Sequence, residues 1–377
     1  MNQELVRLWH LDPAITFLNH GSFGATPRVV LAAQAQWQAT IERQPVAFMG
    51  LELLDQLRAA ARGLANLVGA CSEDLVFTEN ATTGVNTVLN SLDLGANGHV
   101  LITNHIYGAV ANAVKHFCRC HGARLTTVQI PFPVLRDEEV CRVFEQTLAE
   151  VGSAQLLVID HITSPSAMVM PVKQIIEWAH GHGIRVLVDG AHAPGAVDLN
   201  LQELGADWYV GNCHKWLFAA KGCGFLVTAK MHQAHTHPLV ISHGYGLGYL
   251  AEFDWNGTRD FSSWLSLPTA IAFYQGFEGI RQTNHLLVRQ ARSLLAQAWG
   301  VDLPVPDQML AMMATLPLPS CNYSDRVLHD LLWQDYQIEV PIIAWGDRLW
   351  LRISAQIYNQ VADYERLAGA IAQILAI

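Results

Sequence analysis

Two stretches concentrate residues able to do chemistry. The apolar run Val186-Leu187-Val188 ends in Asp189-Gly190-Ala191-His192, and Gly211-Asn212-Cys213 leads into His214-Lys215-Trp216. A short apolar run ahead of an acid reads as a buried strand. It would deliver Asp189 at its C-terminal end, the edge of a parallel sheet where ligands bind. Lys215 follows 26 residues later, after room for one connection and one more strand. Both side chains can therefore face one crevice. A lysine amine condenses with an aldehyde to a Schiff base. A carboxylate beside a pyridine nitrogen keeps it protonated, so the ring draws electrons from a carbanion. The pair suits pyridoxal phosphate. The chain has five lysines, at 115, 173, 215, 221 and 230, and only Lys215 follows a histidine at an expected strand end. Singly, an acid in a turn and a solvated lysine are ordinary; their joint placement carries the argument.

Asn80-Ala81-Thr82-Thr83-Gly84 lies between an expected strand and an expected helix. Free amides at a helix N-terminus bind phosphate, and threonine hydroxyls add to them, although the same residues serve as plain caps.

These residues need a scaffold. Short β-rich runs alternate with amphipathic helical runs through the first two thirds, which predicts an α/β fold with a mainly parallel sheet. Strands are expected at Leu75 to Phe77, His99 to Thr103, Arg124 to Ile130, Gln155 to Ile159, Arg185 to Val188 and Trp208 to Val210. One more at Gly222 to Thr228 follows so closely that it suits an antiparallel partner. Thr26 and Pro27 read as N-cap and first residue of a helix, and Gly69 as the stop of the next. After about Gly257 come helices, a Pro-rich passage from Leu303 to Pro319, then helix, strands and a last helix. That tail reads as a smaller α+β domain. The expected division is 1–20, a segment packing with the small domain, 21–260, and 261–377.

The 377 residues carry 23 Lys+Arg against 33 Asp+Glu, a formal charge of −10. This opposes binding that rests on phosphate neutralisation or on a polybasic membrane contact. No apolar run reaches the length of a membrane span. The start lacks the basic-then-apolar layout of a secretory signal, and seven cysteines show no framework spacing. Both lead us to expect a cytoplasmic protein with reduced thiols. The 17 histidines include no group with Cys or carboxylates at metal-ligand spacing. Gly244-Tyr245-Gly246-Leu247-Gly248 lacks the enclosing βαβ unit of a dinucleotide loop.

The three motifs around Asn80, Asp189 and Lys215 resemble the class V aminotransferase family of fold-type I pyridoxal-phosphate enzymes. The nearest likeness is to its isopenicillin N epimerase-like branch. Phe17-Leu18-Asn19-His20-Gly21-Ser22-Phe23-Gly24, Asp160-His161-Ile162-Thr163-Ser164-Pro165, Asn256-Gly257-Thr258-Arg259-Asp260 and Leu351-Arg352-Ile353-Ser354 resemble it too, in family order along nearly the whole chain. The resemblance implies a seven-stranded, mainly parallel sheet in the large domain and a homodimer with shared sites. It implies Lys215 as the Schiff-base lysine, Asp189 on the pyridine nitrogen, and Ala81, Thr82 and Thr83 at the phosphate. Tyr107 would cover the ring, Thr163 or Ser164 would lie near its phenolic oxygen, and His192 would approach it. Asn212 and His214 would join the phosphate contacts, with Gly257 and Thr258 reaching the phosphate of the neighbouring subunit. Arg352 would grip the substrate α-carboxylate, and Asn19 and His20 would sit on the substrate side.

Cysteine desulfurases of this family carry a reactive cysteine ahead of that arginine. Here Tyr323 to Leu351 has none, and Cys321 lies 31 residues before Arg352. The expected reaction starts with removal of the α-proton by Lys215. Epimerisation and C–S elimination are the leading outcomes, with transamination behind them. A silent scaffold that kept only the fold is the reading outside enzymology.

Overall fold

The computed structural model describes residues 3–95, 97–134 and 136–376. Its strands, in chain order, are β1 (Thr16–Phe17), β2 (Leu75–Thr78), β3 (His99–Thr103), β4 (Arg124–Val128), β5 (Leu156–Asp160) and β6 (Arg185–Gly190). They continue with β7 (Trp208–Asn212), β8 (Gly224–Thr228), β9 (Met313–Pro317), β10 (Ile338–Glu339), β11 (Ile342–Trp345) and β12 (Arg348–Ser354). Seven form one sheet in the order β2-β8-β7-β6-β5-β3-β4. All neighbours are parallel except those of β8, which runs against both β2 and β7.

The central strands are apolar on both faces because helices cover both. In β5, Leu157 and Ile159 enter one core while Leu156 and Val158 enter the other. The helix Leu53–Val68 shows how sequence builds one cover: Leu53, Leu57, Ala60, Ala61, Leu64 and Val68 recur at helical spacing and are buried. Gly69, in the left-handed conformation, ends it.

The C-terminal part adds a three-stranded antiparallel sheet, β11-β12-β9, beside the helices Ile280–Trp299 and Val361–Leu375. The Pro-rich passage from Leu303 to Pro319, where no strand is expected, contains β9. Pro317 is tolerated because β9 is an edge strand and proline lacks only a donor that an edge can spare. A second difference concerns Thr26. The helix starts at Arg28 with Pro27 at the cap, and the Thr26 hydroxyl donates instead to the Ala219 carbonyl at 3.1 Å.

The N-terminal segment ties the two sheets together. β1 pairs with β10 in parallel, and the Ser354 amide donates to the Leu18 carbonyl at 2.8 Å. Gly24, at φ 71°, then passes so close to His214 and Lys215 that a Cβ would lie 2.1 Å from the His214 carbonyl oxygen. The chain start thus props the backbone of Lys215.

Gly224 sets the other wall. A Cβ there would stand 2.7 Å from the Asn80 Cα, so β8 and the Asn80 loop touch backbone to backbone. Gly224→Ala should cost about 1–3 kcal/mol by overpacking and loosen cofactor binding by displacing that loop. Gly181→Ala, where a Cβ meets nothing within 4 Å, should leave the melting temperature near wild type. Thermal melts with and without pyridoxal phosphate check both.

Candidate active site

Parallel strands bring their C-terminal residues to one edge. Asp160 of β5 pairs in register with Asp189 of β6, and Asn212 ends β7. The sheet edge and the helix Ala81–Asn90 enclose a cavity of about 610 Å3. Ala81, Thr82, Thr83, Tyr107, Ser164, Asp189, His192, Asn212, His214 and Lys215 line it. Ten residues picked from sequence are therefore brought together.

The others lie elsewhere. The Thr163 hydroxyl bonds Ser166 at 2.7 Å and accepts from the Met168 amide at 2.9 Å, so of the pair Thr163 or Ser164 only Ser164 reaches the cavity. His20 sits behind it, bonded to the Tyr358 hydroxyl at 2.7 Å and donating from Nε2 to the Lys215 carbonyl at 3.0 Å. Asn19 donates to Glu339 at 2.8 Å. Gly257 and Thr258 do not line this chain's own cavity, and Thr258 is exposed. Their neighbour Arg259 pairs with Glu79 on the cavity wall.

Lys215 reaches the cavity from a turn after β7 closed by Phe218, whose φ of 61° is costly for a bulky side chain. Packing holds it there: Trp9, His20 and Phe273 pack their rings around Phe218. The Lys215 amine and His192 Nε2 share a hydrogen bond of 3.1 Å. Loss of water around the amine lowers its pKa to about 7, Arg352 pushes the same way, and the charges of Asp189 and Asp160 oppose. Burial also keeps His192 neutral, aided by the charge of Lys215.

Asp189 is buried and accepts from the Ala191 amide at 2.9 Å. Burial raises its pKa. Asp160 is raised well above the carboxylate range, first by burial and then by the charge of Asp189. Its Oδ1 accepts from the Tyr107 amide at 3.3 Å, while Oδ2 has no partner among the described residues.

Asp160 received no role from sequence, although it stood inside a quoted motif. The available signal was that adjacent parallel strands both end in Asp. Lys221 and Ser22 were also missed. Lys221 lines the cavity and donates to Thr26 at 3.0 Å. Ser22 accepts from Arg352 at 2.9 Å.

The donors at the start of the helix Ala81–Asn90 are partly spent on the protein itself. The Ala81 amide donates to Asn212 Oδ1 at 2.8 Å, and the Thr83 amide to the Asn80 side chain at 2.9 Å. The Thr82 amide has no acceptor among the described residues, which leaves a donor at the helix start for an anion.

Arg352 on β12 is 4% exposed. It donates to the Ser164 carbonyl at 2.7 Å, and no carboxylate pairs with it among the described residues. Burial lowers its pKa to about 10, so it keeps its charge at neutral pH. A buried cation without a counter-ion is a ready partner for a carboxylate.

An amine whose pKa is lowered to about 7, a buried acid, a free amide at a helix start and a volume within the range of ligand pockets form a donor set that fits pyridoxal phosphate. Comparison with known proteins agrees. The model of the family described as aminotransferase class-V matches residues 15–367. The chain belongs to the class V aminotransferase family, whose pyridoxal-phosphate-dependent enzymes take that cofactor.

A protein named probable L-cysteine desulfhydrase, chloroplastic, from Arabidopsis thaliana is 35% identical, covering 96% of this chain and 83% of its own length. Isopenicillin N epimerase from Amycolatopsis lactamdurans is 31% identical, over 97% of this chain and 96% of its own. The fold matches a solved complex of the cystine C–S lyase C-DES with its reaction product cysteine persulfide. That match has a TM-score of 0.83, 20% identity, and coverage of 95% of this chain and 97% of the other.

Acetylation by acetic anhydride reads the state of Lys215 directly, because only the free amine reacts. In cofactor-free protein its labelling should rise with pH through about 7 and level off above. An inflection at the ordinary lysine value of about 10.4 would show a charged amine and contradict the site.

Proposed function

We propose that this enzyme is a C–S lyase, removing the α-proton of a sulfur-bearing L-amino acid and expelling the sulfur from the β-carbon. The observation that carries the reading is the placement of the Lys215 amine, on the cavity wall and 3.1 Å from His192 Nε2, where burial lowers its pKa to about 7. A free amine takes a proton; an ammonium cannot. Arg352 would hold the substrate carboxylate with its planar fork. Asp189 would hold the cofactor's pyridine nitrogen, Thr82 and its neighbours the phosphate, and Tyr107 the ring plane. When bound, the cofactor supplies an electron sink for the α-carbon.

No cysteine lines the cavity among the described residues, and Cys213 and Cys223 are fully buried. Cys321 lines a separate hollow beside Trp345 and Trp350, so sulfur would leave the cofactor cavity as a free thiol or sulfide and not as a persulfide on the protein. The relatives named L-cysteine desulfhydrase support elimination. The relative named isopenicillin N epimerase supports epimerisation as a second reading.

The proposal extends to a homodimer in which Gly257 and Thr258 serve the neighbour's phosphate. Support comes from the exposed Thr258 and from the exposed apolar run Leu239-Val240-Ile241. The division at 1–20, 21–260 and 261–377 and a cytoplasmic setting belong to the same proposal. Seven free cysteines are in keeping with that setting, and no described helix is long and apolar enough to cross a membrane.

Incubation with L-cysteine and other α-amino acids in deuterated water separates the readings. Elimination predicts pyruvate, ammonia and sulfide from L-cysteine in equal amounts. Loss of optical activity with deuterium at the α-carbon and no pyruvate would instead establish epimerisation.

A further inference from the structure

Two further hollows adjoin the cofactor cavity. Tyr107 and Ser164, on the wall of that cavity, also line a second hollow of about 350 Å3, and Arg352 stands on its side. This hollow shares Asn104, Ala344 and Trp345 with a third, of about 1080 Å3. Each hollow thus shares wall residues with the next.

The third hollow has a mixed wall: Phe132, Trp345 and Trp350 form an aromatic cluster in it, beside polar residues that include Asn104, Cys321, Asp347 and Arg348. Phe132, Trp345 and Trp350 pack with ring centroids 5.1, 5.0 and 5.9 Å apart, and His105 meets Trp345 edge-on at 4.6 Å. The surface is fixed. The Trp350 indole donates to the Trp345 carbonyl at 3.0 Å, and Asn104 exchanges bonds of 3.0 and 2.9 Å with Ile130. Arg348 lies over Trp350 at 5.2 Å.

Substrate geometry gives this surface a use. An α-carbon has four substituents. The hydrogen must face Lys215, the amine is committed to the cofactor and the carboxylate to Arg352. The fourth substituent is left to the hollows beside Arg352, which carry the rings of Phe132, Trp345 and Trp350. A bare thiol would leave them unused.

We propose that the hollow walled by Phe132, Trp345 and Trp350 receives the sulfur substituent of a cysteine thioether. The substrate class is then a bulky aryl- or benzyl-type S-conjugate of cysteine. This rests on the C–S lyase reading and names its substrate. The β-carbon–sulfur bond breaks with its electron pair going to sulfur. Lys215 removes the α-proton, and sulfur leaves as the thiol. One water completes the balance: thioether amino acid plus water gives thiol, pyruvate and ammonium. No oxidant or reductant is needed.

Calorimetry on the cofactor-loaded protein tests the hollow without turnover. 3-(Benzylsulfanyl)propanoate and 3-(methylsulfanyl)propanoate carry the carboxylate and thioether but no amine, so neither reacts. The benzyl compound should bind at least about tenfold tighter, as expected for burying one aromatic ring. Trp345→Ala should bring the two within about twofold of each other, Trp345→Phe should keep most of the preference, and Phe132→Leu should reduce it. Each variant supplies its own methyl reference, so partial unfolding does not imitate the effect. Equal affinity in the wild type, or a preference that survives Trp345→Ala, overturns the inference. Pyruvate from L-cysteine but none from S-benzyl-L-cysteine overturns it as well. A calorimetric preference without pyruvate from either amino acid overturns the C–S lyase reading and upholds the hollow as the site of a bulky apolar substituent.

Discussion

The site depends on one unfavourable placement: a lysine amine in a crevice that strips water from it. In water the lysine side chain stays a well-solvated ammonium near neutrality, which leaves almost no free amine to act as base or nucleophile. Here desolvation and the like charge of Arg352 outweigh the pull of Asp189 and Asp160, and the amine is poised near pH 7. The fold bears the cost of that placement in several places. His20 reaches across from the chain start to the Lys215 carbonyl, and Phe218 is held in a backbone conformation that its own bulk disfavours. The rings around Phe218 and the close passage of Gly24 keep the turn from relaxing.

The second constraint is charge. Two buried carboxylates on adjacent strands, Asp160 and Asp189, disfavour each other's ionisation. One proton between them lessens that repulsion, and a cationic ring nitrogen beside Asp189 would lessen it further. Across the cavity, Arg352 holds a positive charge with no acid partner among the described residues, which a substrate carboxylate would neutralise. The resting site is thus electrostatically incomplete at both ends, and ligands complete it.

Much of this was legible in sequence, for identifiable reasons. Apolar runs bounded by turn residues marked the strands, because strands buried on both faces cannot hide their composition. Asp189 and Lys215 stood out because each followed such a run. β9 was obscured by Pro317 and the prolines that flank the strand, since local propensity does not show that a strand lies at an edge. Asp160 was overlooked because its meaning comes from register with Asp189, which no single motif contains. Thr163 and Ser164 were indistinguishable by type, and only the turn through Ser166 and Met168 turns the Thr163 hydroxyl inward. The aromatic hollow draws on residues from 132 to 350, so it existed only after folding.

The central claim is that Lys215 carries the cofactor covalently, and Lys221 on the same cavity wall is its natural rival. Borohydride reduction of the loaded protein, followed by digestion and mass spectrometry, decides between them. The account predicts about one phosphopyridoxyl group per chain, on the peptide holding Lys215. The same mass on Lys221, or on no lysine, would contradict it.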